Sequence, residues 1–172
     1  MLLVAAMTLL AALTVGGGGV ASAATGLKFM NMGLAERLGG NAPCFTAQSS
    51  GTAITQEQCT GADNQLWAYI GTPTANNPIQ LQNVGTGRCM DISAFSNAAP
   101  VVQVDCGSQP SGSLLVRIDA RGFGDPVQGY FFKSPFANFC LDLENGWSDH
   151  GLSLQVWQCN FHTQNQDWHL FF

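Results

Sequence analysis

The sharpest hydrophobic–polar pattern in the chain lies between residues 138 and 169. Phe139, Leu141 and Leu143 alternate with Cys140 and Asp142. Leu154 and Val156 alternate with Gln155 and Trp157. A period of two is the mark of strands with one face turned inward. The polar stretch 144–151 between the two runs predicts a loop joining a strand pair. Shorter strand-like runs occur at 27–31, 79–84 and 130–134, with Gly, Asn, Ser and Pro turns between them. No stretch sustains a helical period, so the pattern predicts about twelve short strands and an all-β closed or pseudo-symmetric fold.

The pattern repeats. Cys44 and Cys59 stand 15 positions apart, Cys89 and Cys106 17, and Cys140 and Cys159 19. The pairs recur at a period of about 50 residues, the length of a repeated supersecondary unit. Aligned on the cysteines, Arg88-Cys89-Met90-Asp91-Ile92 matches Phe139-Cys140-Leu141-Asp142-Leu143, and Pro43-Cys44-Phe45-Thr46-Ala47 matches both with threonine in place of aspartate. Asn64-Gln65-Leu66-Trp67 matches Asn165-Gln166-Asp167-Trp168, whereas Ser113-Leu114-Leu115-Val116 has lost the amides and the tryptophan. The units run about 27–70, 79–118 and 130–172. The joints at 71–78 and 119–129 are too short to be interdomain linkers.

Composition narrows the class. Only 10% of the 172 residues are charged and 46% are hydrophobic, which suits a folded core. Six scattered Lys and Arg against eleven Asp and Glu leave no basic patch for phosphates, so a nucleic-acid partner is not expected. Residues 1–23 read as an export signal: an apolar run from Leu2 to Val15, a glycine break, and Ala21-Ser22-Ala23 as the cleavage pattern. That run is too short for an ordinary membrane span, and none is expected in the mature chain. Export implies an oxidising compartment, where six cysteines read as disulfides, with about fifteen connectivities open to them.

In the last unit, strand geometry could bring one carboxylate, Asp142, and three amides, Gln155, Asn165 and Gln166, beside one aromatic, Trp157. A sugar is met by such a set, since its hydroxyls take paired donors and acceptors and its C–H face lies on a ring. Hydrolysis of a glycoside needs two carboxylates about 5–9 Å apart, and the one small loop bearing Asp142, Glu144 and Asp149 offers no cleft. A calcium loop starting at Asp142 departs from the ligand pattern after three positions. No cysteine–histidine clustering suggests a metal, and no cofactor is expected.

Taken together, the three-unit layout, Cys-x-Asp, Gln-x-Trp-x-Cys and the two Asn-Gln-x-Trp endings resemble the ricin B-chain type lectin domain, a β-trefoil also used as a carbohydrate-binding module. The resemblance covers residues 27–172. It implies a secreted, non-catalytic lectin that binds a glycan or polysaccharide, with a disulfide inside each unit: Cys44–Cys59, Cys89–Cys106 and Cys140–Cys159. It also implies one intact sugar pocket, in the third unit. There Asp142 would accept from two vicinal hydroxyls, Gln155 would orient it or bond the sugar, Trp157 would stack, and Asn165 and Gln166 would bond the same hydroxyls. Trp147 and His150 are candidates for the pocket rim. Trp67 and Trp168 are expected in the core. The middle unit keeps Asp91 but has Val102 and Val104 where Gln155 and Trp157 stand. The first has Thr46, Thr55 and Glu57 at the matching places. A non-catalytic, protein-binding trefoil with a silent pocket, an inhibitor or the receptor-binding subunit of a toxin, is the alternative.

Overall fold

In the computed structural model the described residues are 26–31, 34, 38, 41–49, 52–72, 77–106, 115–119, 129–146 and 148–171. The export-signal reading at 1–23 and the rim candidate Trp147 lie outside them. The described residues hold twelve strands, each four to six residues long: β1 Lys28–Asn31, β2 Cys44–Ala47, β3 Ile54–Glu57, β4 Trp67–Ile70, β5 Gln80–Asn83, β6 Cys89–Ile92, β7 Ala99–Val104, β8 Val116–Asp119, β9 Gly129–Lys133, β10 Phe139–Leu143, β11 Leu154–Gln158 and β12 Trp168–Phe171. The chain adopts the all-β fold expected from the strand periodicity and the trefoil that the resemblance implies, although Leu34 and Leu38, four residues apart, are helical. Their spacing is too short a signal to register as a helical period.

Six strands close a barrel. β4 pairs with β5, β8 with β9, β12 with β9, and β1 with β12, all antiparallel. Single bridges at Leu27–Trp67 and Ile79–Leu115 complete the ring between β1 and β4 and between β5 and β8. Closure leaves no open sheet edge around this ring. The other six strands form three hairpins, β2–β3, β6–β7 and β10–β11, which meet in a triangle. Ala53 bridges Val102, Thr55 bridges Ser153, and β11 pairs with β7 through Gln155–Pro100 and Val156–Ala99.

The inward faces fill one core. Phe29 lies flat against Phe45 at 5.9 Å, Phe45 meets Trp168 at 4.4 Å, and Phe29 meets Phe132 at 5.3 Å. Trp67 and Trp168 are both fully buried, as their repeat position predicts. A buried indole N–H needs an acceptor, and each finds one at the same place in its own unit. Trp67 donates to the Phe45 carbonyl at 3.3 Å and Trp168 to the Leu141 carbonyl at 3.2 Å, each the residue after a bridged cysteine. All three disulfides lie within units, joining Cys44 to Cys59, Cys89 to Cys106 and Cys140 to Cys159. Each tethers the first strand of a hairpin to the chain leaving its second, closing loops worth about 3 kcal/mol each in the loop-entropy account.

The ends of the chain path support one another. Asn31, on β1 and buried, donates its side-chain amide to the carbonyls of Gln164 at 2.7 Å and Asp167 at 3.3 Å. Those carbonyls flank the short 3₁₀ turn Gln164–Gln166, which leads into β12. Asn83 on β5 does the same for the first unit's 3₁₀ turn Asp63–Gln65, donating to the carbonyls of Asn64 and Leu66 at 2.9 and 3.1 Å. In the first and third units the turn is therefore held by the first strand of a neighbouring unit.

Candidate functional site

β10 and β11 pair in a register that sets Asp142 opposite Gln155 and Cys140 opposite Trp157. Residues directly opposite in an antiparallel pair share a face, and residues two apart on a strand share it too. These four side chains therefore stand together. Their alternates, Leu141, Leu143, Leu154 and Val156, go to the core. The sequence alternation thus decides both the burial of the hairpin and the convergence of the polar set.

Asp142 is buried, with both carboxylate oxygens occupied by amides. Gln155 Nε2 donates to Oδ1 at 2.8 Å, and Gln166 Nε2 donates to Oδ2 at 3.1 Å. Burial raises the Asp142 pKa above the usual carboxylate range, and the two amide hydrogen bonds pull it part of the way back. Each oxygen keeps further acceptor capacity, since a carboxylate offers about four lone-pair sites.

Gln166 sits behind the carboxylate. Its second amide hydrogen goes to the Gln158 carbonyl at 3.2 Å, and its Oε1 accepts from the Asn160 N–H at 2.8 Å. Gln65 repeats the arrangement in the first unit. Its Nε2 donates to Thr46 Oγ1 at 3.1 Å and the Gln58 carbonyl at 2.8 Å, and its Oε1 accepts from the Thr60 N–H at 2.7 Å. The glutamine of Asn-Gln-x-Trp therefore does the same work in both units: it ties the strand residue two after the first cysteine to the chain around the second.

Asn165 is half-buried and presents its side chain at the pocket wall. Its backbone N–H donates to Thr163 Oγ1 at 3.4 Å, the side-chain cap of the 3₁₀ turn. Against it packs Gly146, where a Cβ would lie 2.6 Å from Asn165 Oδ1. Gly146 also has φ +61°, and Asn145 before it φ 52°. Glycine and asparagine are the residues that enter this left-handed region most readily. The Asn145-Gly146 turn thus folds the chain after β10 back over the pocket.

The pocket so formed encloses about 370 Å³, at the small end for ligand sites. Asp142, Gln155, Trp157, Asn165 and Gln166 all line it, together with Asn145, Gln158, Cys159, Asn160 and Thr163. Trp157 is 42% exposed, a large ring left in water on the wall of a polar pocket. The sequence reading missed Asn145, Asn160 and Thr163. The Asn-Gly dipeptide three and four residues after Asp142 is the one local signal that marks the first of them. His150 is not among the lining residues. Its Nδ1 stands 3.8 Å from Glu57 Oε2 on β3 of the first unit. The same loop is fastened there by Gln56, whose Nε2 donates to the Asp149 carbonyl at 2.6 Å. The Gln56 backbone also exchanges hydrogen bonds with Leu152 and Gly151, both at 2.9 Å.

The matching places elsewhere differ. On β6, Asp91 faces Val102, and Cys89 faces Val104. Asp91 is buried, and its Oδ1 has no hydrogen-bond partner among the described residues. Burial raises its pKa, and a backbone hydrogen bond at Ile92 offsets this in part. In the first unit Thr55 accepts from Gln48 Nε2 at 2.6 Å and donates to Glu57 Oε1 at 3.0 Å, so those groups satisfy one another. Among the described residues no cluster of His, Cys, Asp and Glu could hold a metal ion, and no helix is long and apolar enough to cross a membrane.

Residues 37–168 match the ricin-type beta-trefoil lectin domain family. Among solved structures, the chain is similar to the designed three-fold symmetric protein ThreeFoil, with a TM-score of 0.68, 19% identity, and 85% of this chain and 97% of that one covered. A ricin B-like lectin of Macrolepiota procera, solved with lactose, has a TM-score of 0.65 at 16% identity over 85% of this chain and 94% of that one. An exo-β-1,3-galactanase from Clostridium thermocellum has a TM-score of 0.66 at 17% identity, with 86% of this chain but only 30% of the enzyme covered. No curated protein matches the sequence.

Proposed function

The chain belongs to the ricin-type β-trefoil lectin domain family, and from that premise we propose that it is a secreted lectin with one working sugar pocket, in the third unit. Family membership supports carbohydrate binding in general. The observation that carries the finer reading is Asp142, a buried carboxylate oriented by two amides beside the exposed ring of Trp157.

The pocket's parts divide the work. Asp142 accepts hydrogen bonds from two vicinal hydroxyls, each charge-assisted bond worth about 1.5–3 kcal/mol. Gln155 and Gln166 fix its plane, so little ordering is left for binding. Gln166 has no free amide hydrogen and acts through Asp142, whereas Asn165 brings its amide to the pocket. Trp157 takes the apolar face of the sugar ring. A pocket this shallow holds a monovalent sugar at about 0.1–10 mM, and tight attachment to a cell or polymer surface needs many copies.

Asp142 is the one carboxylate among the lining residues, so the pocket lacks the pair that glycoside hydrolysis uses. We infer binding without turnover. The three disulfides fit an extracellular setting. A glycan array with the oxidised full chain, followed by calorimetric titration of a positive sugar against wild type, Asp142→Ala and Trp157→Ala, tests the proposal. Binding lost in both variants is expected. Wild-type affinity retained in both overturns it.

A further inference from the structure

An exposed aromatic side chain that the contacts above leave unused stands in the turn beside the pocket, next to two residues that line it though not itself a lining residue. β11 carries Trp157 and Gln158, the chain reaches the bridge at Cys159, and a turn follows at 160–163. The residues at the two ends of that turn, Asn160 and Thr163, both line the pocket. Phe161 stands between them, 36% exposed. Its ring meets the buried Phe131 edge to face, centroids 5.0 Å apart and planes at 87°. A ring already packed on one neighbour has little rotational freedom left to lose when a ligand lies against it. Phe161 lies four positions after Trp157, and a chain segment of that length reaches at most about 14 Å. A short oligosaccharide covers such a distance.

Charge narrows the ligand. The lining residues include one carboxylate, Asp142, and neither Lys nor Arg, and the turn 160–163 has no Asp, Glu, Lys or Arg. A sugar acid bound here would set its own carboxylate against Asp142 with no cation in the wall to offset it. A neutral sugar brings only hydroxyls, which the lining amides and hydroxyls can pair.

We infer that Phe161 is a second sugar platform, so that the site takes a neutral glycan of two or more residues with one ring on Trp157 and the next on Phe161. This rests on the third-unit sugar pocket proposed above. The probes are galactose and xylose as single sugars, lactose and xylotriose as short neutral chains, and sialyllactose as an acidic one, each titrated into the oxidised full chain. A short chain is expected to bind roughly five- to tenfold more tightly than its single sugar. Phe161→Ala removes that advantage and leaves single-sugar affinity unchanged. Phe161→Leu, which keeps apolar packing on Phe131, does the same, with thermal melting to show that both variants fold. Asp142→Ala removes single sugars and chains alike. Equal wild-type affinity for a chain and its single sugar overturns the inference. So do Phe161 variants that weaken both equally or neither, and sialyllactose bound as tightly as lactose. Each of these leaves the pocket itself standing. A wild-type chain that binds none of the five probes overturns the pocket and the inference together.

Discussion

Asp142 and Asp91 hold the same position in two copies of one hairpin. Each follows a bridged cysteine by two residues, and each is 6% exposed. Burial raises both pKa values. What separates them is the opposite strand and the turn that carries Gln166. Across from Asp142 stand an amide and an aromatic ring; across from Asp91 stand two valines. A carboxylate with its oxygens claimed by amides is held in one plane and can meet a ligand with little further cost. A carboxylate with an orphaned oxygen stores a desolvation penalty and presents nothing beside it. The fold supplies the strand position three times, at Thr46, Asp91 and Asp142; the side chains facing it decide whether it can become a site.

The largest effect that would break this comparison is loss of binding in Asp142→Ala. That change removes charge-assisted bonds worth about 3 kcal/mol or more, at least a hundredfold in affinity, while Asp91→Ala leaves binding unchanged. Calorimetric titration of the two variants checks it, and the reverse result places the site in the middle unit. Trp157→Ala comes next, weakening binding by about 1–3 kcal/mol, or roughly fivefold to 150-fold, with little change in melting temperature because the ring is exposed. Gly146→Ala is smaller. It forces a side chain into a left-handed turn at about 1 kcal/mol and crowds Asn165, so affinity falls severalfold. A Gly146→Ala variant that binds as wild type would detach the Asn145-Gly146 turn from the site.

Acid sharpens the contrast further. Ligand hydroxyls donate to ionised Asp142, so affinity falls as pH drops through its folded pKa, with a midpoint above 3.8. For the free protein the sign is opposite. Both folded pKa values are raised, so the native state holds protons more tightly than the unfolded chain, and the two groups' contribution to stability falls as pH rises from 3.8 through the folded values. The smallest expected effect follows: Asp91→Asn raises the melting temperature at pH 7 by a few degrees and flattens its acid dependence. A lower melting temperature for that variant would mean that Asp91 has a partner contributing to stability.

Much of the site was legible because its signals are local. Phe139, Leu141 and Leu143 on one period, with Asp142 between them, fix the strand and its polar face within five residues. The cysteine register then brings Gln155 and Trp157 opposite. Whether Gln166 meets the sugar or supports Asp142 was not legible, because its remaining amide hydrogen and its oxygen are taken by the carbonyl of Gln158 and the N–H of Asn160, which are set by backbone geometry. Its repeat partner Gln65 was the available hint, since it keeps the amide in a unit that lost the carboxylate. The seam through Gln56 left no sequence signal at all. It joins residues 93 positions apart through a side-chain amide that donates to a main-chain carbonyl, and an acceptor of that kind is carried by every residue. For the same reason His150, in the same loop as the site turn, lies beside Glu57 in another unit.

The hydrogen bonds from Asn31 to the carbonyls around Gln164–Gln166 span 133 and 136 positions, so β1 props up the turn that leads into β12. Loop-closure entropy makes such distant pairs late events in folding. The pocket is consequently the region whose completion reports that the whole ring has shut. A clip or deletion that frees β1 is expected to disturb the proposed sugar pocket without touching any residue that lines it.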